Sequence, residues 1–126
     1  MILPCLFTEK TSQKGWGVFT NKPIKKNTII EISPVIIMSE KEKLLLDQTK
    51  LHDYIFFWED DKCCMAMGNI PIYNHAVPSN CEYFQDYENE IIFIKTVRKI
   101  NAGEELTINY QGDFQNQTPV WFEMKD

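Results

Sequence analysis

Residues 103–110 read GEELTINY, a tight polar turn leading into a short strand that ends on a tyrosine. Two further segments upstream contain residue types suited to a binding site. They are Gly15-Trp16-Gly17 near the N-terminus and Tyr73-Asn74-His75 in the middle of the chain. Taken alone, each segment is also typical of ordinary turns and strands. The information lies in the three segments together and in their order along the chain.

The composition is that of one soluble globular domain. The chain has 126 residues, of which 44% are hydrophobic and 25% charged. No apolar run approaches the ~20 residues that cross a bilayer, and the N-terminus lacks a signal-peptide pattern. We therefore expect an intracellular protein, cytoplasmic or nuclear, without membrane association. The net charge of −5 argues against direct nucleic-acid binding, which needs clustered cations, and is compatible with a basic peptide as partner.

Short β-branched and aromatic runs separated by turn residues predict a mainly β domain. Ser39 and Glu42 form a capping-box pattern, which predicts one helix over about 40–49, with Leu44, Leu45 and Leu51 on one face. The periodicity alone does not choose among a barrel, a sandwich and other arrangements of short sheets. The predicted strands lie at 6–9, 18–20, 28–31, 35–38, 54–58, 63–67, 81–85, 90–97 and 106–110, with Pro34 splitting the third from the fourth.

The three segments, in this order, resemble the SET-domain family of protein-lysine methyltransferases, and the resemblance runs from about Leu6 to Tyr110. It implies a single domain over 1–126, with a core at about 6–110 and a tail at 111–126. The implied fold is mainly β and β-clip-like, with short sheets, a C-terminal pseudoknot and one short helix. The implied activity is methyl transfer from S-adenosylmethionine to a lysine side chain of a protein, basic and histone-like substrates included.

Two alternative functions are compatible with the same residues. A degenerate SET domain would bind a peptide or the cofactor without turnover, and Ala76, Val77 and Asn109, which depart from the family pattern, motivate that alternative. A small β-rich interaction module without any cofactor is the second.

Two segments match the positions at which the family binds its cofactor. A G-x-G loop there contacts the methionine part of S-adenosylmethionine through main-chain groups, and two glycines this close allow a close approach of backbone to ligand. An Asn-His pair in the family holds the amino and adenine groups. The resemblance assigns cofactor binding to Lys14, Gly15, Trp16, Gly17, Asn74, His75 and Tyr110.

The zinc cluster of many family members is not expected here. Val77 stands where many relatives carry a zinc-binding cysteine, and no cysteine follows Cys81. The four cysteines (Cys5, Cys63, Cys64 and Cys81) have no C-x-x-C spacing. We expect reduced, mostly buried thiols and no metal site.

Tyr110 falls on the family's catalytic tyrosine. Tyr54 matches a tyrosine that lines the lysine channel in many relatives, although it can also be a core aromatic next to the aromatic run at 56–58. Asn109 replaces the common aspartate. Ile108 occupies a position where a Phe or Tyr often limits the number of methyl groups, so the product state stays open.

The tail at 111–126 has two possible roles. It can fold over the cofactor, with Phe114, Trp121 or Phe122 stacking on the adenine. Alternatively it packs on the core or on another subunit, which is compatible with a homodimer.

Overall fold

A computed structural model describes residues 1–110 of the chain. Nine short strands and one α-helix occur in this part of the chain. The elements are β1 (Leu6–Thr11), β2 (Gly15–Thr20), β3 (Ile29–Met38), α1 (Glu40–Leu46), a 3-10 turn (Lys50–Tyr54), β4 (Phe56–Phe57), β5 (Cys63–Ala66), a second 3-10 turn (Ile70–Ile72), β6 (Asn74–His75), β7 (Cys81–Asp86), β8 (Ile91–Thr96) and β9 (Glu105–Ile108). The expectation of a mainly β domain with one short helix is confirmed.

The first sheet brings the two ends of the described chain together. Its strand order is β1-β2-β9-β6. β2 runs antiparallel to β9, with Val18 opposite Leu106. β6 runs parallel to β9, with Asn74 opposite Thr107 and His75 opposite Ile108. The segment at 74–75 is therefore a short strand beside the GEELTINY segment.

The second sheet is built around β3, and its order is β4-β5-β3-β8-β7. The predicted break at Pro34 is wrong, because β3 continues through this residue. Pro34 sits where β3 changes partners: its register with β8 ends at Pro34, and its register with β5 begins at Val35. A residue without an N–H is tolerated at such a junction because it falls at the end of one ladder.

The core is mostly aliphatic, with Phe56, Trp58 and Tyr73 as its buried aromatic residues. Ile30, Ile92 and Ile94 are fully buried on the second sheet, and Leu106 and Ile108 on the first. Side chains alternate between inside and outside along β8, which buries Ile92 and Ile94, whereas all three residues from Leu106 to Ile108 of β9 are buried. The core therefore fixes the position of β9 and of the residues that directly follow it.

α1 lies outside this core. Its N-terminus has the predicted capping box, in which Ser39 Oγ accepts from the Glu42 N–H at 3.1 Å and the Glu42 carboxylate accepts from the Ser39 N–H at 3.0 Å. The helix ends at Leu46, earlier than predicted. Leu44 and Leu45 are 59% and 62% exposed, so these two leucines of the helix lie at the surface. None of the helices within residues 1–110 is long and apolar enough to span a bilayer.

Hydrogen bonds of a buried carboxylate connect the second sheet to the loop before β6. Glu31 on β3 is fully buried. Its Oε2 accepts from Ser33 Oγ and from the Asn69 N–H, both at 2.8 Å, and its Oε1 accepts from Tyr73 Oη at 3.0 Å. Burial raises the pKa of Glu31, and these three donors oppose that rise. The carboxylate thus fixes the 68–73 loop.

We expect Gly68→Ala to destabilise the protein by about 3 kcal/mol or more. Gly68 has φ +64°, and a Cβ there would collide with the Glu31 carboxylate and Ser33 Oγ. Gly103→Ala is the matched control, because Gly103 also has a positive φ but nothing within 4 Å of an added Cβ. The control should cost only the backbone strain, about 1–2 kcal/mol. Urea denaturation measures both, and equal losses would contradict the role given to Glu31.

Candidate active site

The first sheet places the three segments singled out from the sequence around one open cavity. The cavity has a volume of about 990 Å³ including its open mouth. The start of β2 supplies one side, β6 a second, and Tyr110, two residues after β9, a third. Its lining residues are Lys14, Gly15, Trp16, Asp53, Tyr54, Pro71, Ile72, Asn74, His75 and Tyr110. Every cofactor-site and catalytic residue predicted within 1–110 lines it except Gly17.

Gly17, which has no side chain, leaves space for the hydrogen-bonded side chains of Asn74 and Glu105. Asn74 Nδ2 donates to Glu105 Oε2 at 2.7 Å and to the Trp16 carbonyl at 3.2 Å. A Cβ on Gly17 would lie 2.6 Å from Glu105 Oε2 and 3.1 Å from Asn74 Nδ2. The two bonds use both amide hydrogens of Asn74. Its carbonyl oxygen is therefore the group left to accept from a ligand.

Gly15 serves the cavity directly. Its φ is +71°, and no atom lies within 4 Å of the place where a Cβ would be. The turn before it is held by Thr11, whose Oγ1 donates to the Gly15 carbonyl and accepts from the Lys14 N–H, both at 2.8 Å. The backbone at 14–15 is thus fixed and open to a ligand. Lys14 brings a positive charge to the same edge.

Tyr110 is held at three of its polar atoms. Its Oη donates to the Tyr73 carbonyl at 2.8 Å, its N–H donates to His75 Nδ1 at 3.0 Å, and its carbonyl accepts from Tyr83 Oη at 3.1 Å. Burial raises the pKa of Tyr110 above its ordinary range, and the nearby Tyr54 and Asp53 raise it further. The phenol stays protonated at neutral pH, so it is a fixed donor and not a base.

His75 is a neutral support for Tyr110. Because Nδ1 accepts from the Tyr110 N–H, the ring carries its proton on Nε2. Burial lowers the pKa of His75, and the charge of Lys14 lowers it further. The two rings are in tilted contact, with centroids 5.0 Å apart.

A second cavity of about 360 Å³ adjoins the first at Tyr110. Its walls are mostly aromatic, which suits an aliphatic chain with a cationic head. Tyr83 and Phe56 form an edge-to-face pair with centroids 5.0 Å apart, and burial raises the pKa of Tyr83 to about 12. The cavity is lined by Asp53, Tyr54, Ile55, Phe56, Phe57, Pro71, Tyr83 and Tyr110, of which Asp53, Tyr54, Pro71 and Tyr110 also line the first cavity.

Several residues of this site are not identified by the sequence analysis, among them the four that follow. Tyr83 lies on the predicted strand that begins at Cys81. The only indication in the sequence is that Tyr83, two residues after Cys81, faces the same side of this strand. Asp53 and Pro71 are ordinary loop residues in the sequence, and Glu105 reaches the site only through Asn74. Phe114, Trp121 and Phe122, the candidates for stacking on the adenine, lie outside the described residues. Among residues 1–110, no cluster of three or more His, Cys, Asp or Glu side chains could hold a metal ion.

Comparisons with known proteins agree with the geometry. A sequence model of the SET domain matches residues 15–111. A histone-lysine N-methyltransferase of Schizosaccharomyces pombe, H3 lysine-37 specific, is 39% identical over 114 residues, which cover 90% of this chain and 74% of that protein. Histone-lysine N-methyltransferase SUV39H2 of Xenopus tropicalis is 30% identical over 90% of this chain, but this match covers only 32% of that protein.

A solved structure has the same fold. The crystal structure of a candidate histone methyltransferase from Plasmodium falciparum superimposes with a TM-score of 0.66 at 26% identity, covering 86% of this chain and 95% of that one. The family suggested by the sequence segments is confirmed.

The protonation state of His75 gives a pH-dependent prediction. Its pKa lies below the ordinary 6.5, so the unfolded chain binds this proton more readily than the folded one. The free energy of unfolding should be at its full value above about pH 6.5 and fall as the pH drops towards the folded pKa. Urea denaturation between pH 5 and 7.5 measures this slope, which His75→Gln should reduce.

An NMR titration of the two histidines provides the direct check, and His52→Gln assigns the resonances. An unchanged pH slope in His75→Gln would contradict the neutral, hydrogen-bonded state given to this ring.

Proposed function

Because the chain belongs to the SET-domain family of protein-lysine methyltransferases, we propose that its larger cavity binds S-adenosylmethionine and that the adjoining cavity admits a lysine side chain of a basic, histone-like protein. The enzyme class and the use of a methyl donor follow from the family. The observation that supports this placement is that the two cavities share Tyr110, Tyr54, Asp53 and Pro71. A cofactor on one side and a lysine on the other would meet at Tyr110.

The larger cavity suits the proposed cofactor in its chemistry. It is an open cleft of about 990 Å³ including its mouth, and small-molecule sites of this kind carry a few placed polar groups. The cofactor's ammonium group needs an acceptor, and the oriented Asn74 amide supplies one. Its carboxylate needs a cation, and Lys14 lies on the lining. The open backbone at Gly15 allows a close main-chain approach.

The residues around the boundary prepare the lysine for attack. S-adenosylmethionine supplies, when bound, an electrophilic methyl group on a positively charged sulfonium. A free lysine has a pKa of about 10.4 and must lose its proton to become a nucleophile. Tyr54, Tyr83 and Phe56 line a narrow aromatic channel that removes water from the amine, and desolvation lowers its pKa. The proton then leaves to solvent.

Tyr110 orients the amine. Its hydroxyl, which the hydrogen bond to the Tyr73 carbonyl holds in place, lies at the boundary of the two cavities, where it would contact an entering amine. Positioning of this kind contributes a large share of catalysis, up to about 7–11 kcal/mol for well-aligned groups. Asp53 adds a negative charge at the same boundary, where it favours the approach of an ammonium ion.

The general test is methyl transfer. The protein is incubated with isotope-labelled S-adenosylmethionine and either core histones or a lysine peptide library, and products are read by mass spectrometry. Label on lysine supports the proposal. A thermal-shift scan with S-adenosylhomocysteine separates the alternatives, since a binder should gain about 2.7 kcal/mol at 100 times its dissociation constant. A shift without transfer would indicate a binding module.

We expect Tyr110→Phe to lower kcat by about 100-fold or more while leaving cofactor affinity within about twofold. The change removes the hydroxyl that orients the amine but keeps the ring that separates the cavities. Tyr87→Phe is the matched control, because Tyr87 is an exposed tyrosine that lines neither cavity. Full activity of Tyr110→Phe on a validated peptide would remove this residue from the catalytic role.

We expect Asn74→Ala to weaken S-adenosylhomocysteine binding by about 10- to 100-fold, the value of a hydrogen bond to a charged group. Glu105→Gln should weaken it as well, because Glu105 fixes the Asn74 amide. Calorimetry measures both, with the exposed Asn101→Ala as control. An affinity unchanged by Asn74→Ala would show that the amide does not contact the ligand.

A further inference from the structure

A third cavity lies beside α1, next to the proposed lysine channel, and the methyl-transfer reaction gives it no role. Its volume is about 460 Å³. The side chains of α1 and the turn that follows form one side, and β4 and β5 form the other. The wall is formed by Ile55, Phe56, Phe57 and Cys63, and the rim by Lys43, Asp47 and His52.

The charged groups at the rim are paired with one another. Asp47 Oδ2 lies 3.0 Å from Lys43 Nζ, and Asp47 Oδ1 lies 2.8 Å from His52 Nδ1. These contacts, that with His52 first, lower the pKa of Asp47, so the carboxylate is ionised and already satisfied at neutral pH. Lys43 Nζ also lies 5.3 Å from the Phe57 ring centre. A second cation entering the cavity would meet Lys43 without an unpaired carboxylate to receive it.

The wall is apolar. Ile55 and Phe56 are buried, and Cys63 is fully buried. Burial raises the pKa of the Cys63 thiol, so it remains neutral. A branched aliphatic or aromatic side chain would remove apolar surface from water here without displacing a polar partner.

The cavity adjoins the lysine channel. Ile55, Phe56 and Phe57 line both, and Phe57, 64% exposed, stands between them on the edge strand β4. In an extended peptide, successive residues are about 3.3 Å apart. A residue close to the target lysine is therefore within reach of this cavity.

We propose that the cavity beside α1 is a specificity subsite that binds an aliphatic or aromatic side chain of the protein substrate, from a residue close to the target lysine. The proposal rests on the proposed function, because the lysine channel fixes where the substrate lies. It restricts the substrate class: a lysine with only charged neighbours fills the channel but not the subsite.

The test uses fluorescent peptides with a central lysine in a Gly/Ser/Arg background. Leucine, alanine or glutamate is placed at each of the three positions on either side of the lysine. Fluorescence anisotropy in the presence of S-adenosylhomocysteine gives the dissociation constants, and methyl transfer to the same peptides is measured separately. At one position or two, leucine should improve affinity by about tenfold or more over alanine, and glutamate should not.

Phe57→Ala tests whether this preference arises in the cavity. It should reduce the leucine-to-alanine ratio at the preferred position towards one, even if affinity for every peptide changes because Phe57 also lines the channel. Leu45→Ala is the matched control: Leu45 is 62% exposed, lies on the adjacent helix α1 and lines none of the three cavities. The control should keep the wild-type ratio.

The outcomes separate the subsite from the reaction. Equal affinities for leucine and alanine at every position overturn the subsite, whether or not methyl transfer occurs. A leucine preference that survives Phe57→Ala also overturns it. Preference without transfer supports the subsite and counts against turnover. Sedimentation provides one more check, since a dimer that dissociates on Phe57→Ala would place a second copy in the cavity and overturn a substrate role.

Discussion

The parallel pairing of β6 with β9 is the constraint on which the site depends. Two residues of β6 pair with β9, which is few for a ladder. Asn80 forms three further hydrogen bonds to β9. Its Oδ1 accepts from the Thr107 N–H at 2.8 Å, and its Nδ2 donates to the Glu105 carbonyl at 2.8 Å. Its own N–H donates to Thr107 Oγ1 at 3.2 Å. A buried side chain thus acts as an additional strand partner. Because this pairing is fixed, the positions of His75 and Tyr110 relative to each other are fixed as well.

Burial makes this arrangement rigid and also sets its chemistry. Tyr73 joins two networks, since its hydroxyl donates to the buried Glu31 and its carbonyl accepts from Tyr110 Oη. A buried carboxylate without hydrogen-bond donors would destabilise the fold. The hydrogen bonds that Glu31 accepts therefore hold the loop that carries Tyr73 in place. The same low-dielectric surroundings raise the pKa of Tyr110 and lower that of His75. Both groups are therefore neutral, and the site can orient an amine without competing for its proton.

The sequence predicts the residues that belong to recognisable motifs. Asn74, His75 and Tyr110 are found because the three segments, taken together and in their order, resemble the SET-domain family, and Ser39 because a capping box spans four residues. Residues whose role comes from distant partners are missed. Glu31 acts through Tyr73, far along the chain. Leu44 and Leu45 have the right spacing for a buried face, but periodicity does not reveal whether any element packs against it. Pro34 leads to the wrong prediction of a strand break, because the sequence does not show that β3 changes strand partners at this residue.

The two walls of the proposed lysine channel differ in how they are held, and this difference follows from the fold. Tyr83 lies on β7 in the second sheet and hydrogen-bonds to the Tyr110 backbone, so the reacting side of the channel is tied to both sheets. Tyr54, Asp53 and Phe57 come from the segment after α1, whose 3-10 turn contains no buried residue. Substitutions at the exposed residues Tyr54, Asp53 and Phe57 disturb little core packing, in contrast to substitutions at the buried Ile55 and Phe56. A substitution at the exposed side chains of Tyr54, Asp53 or Phe57 would therefore alter one wall of the proposed channel while the hydrogen bond between Tyr83 and Tyr110 stays in place.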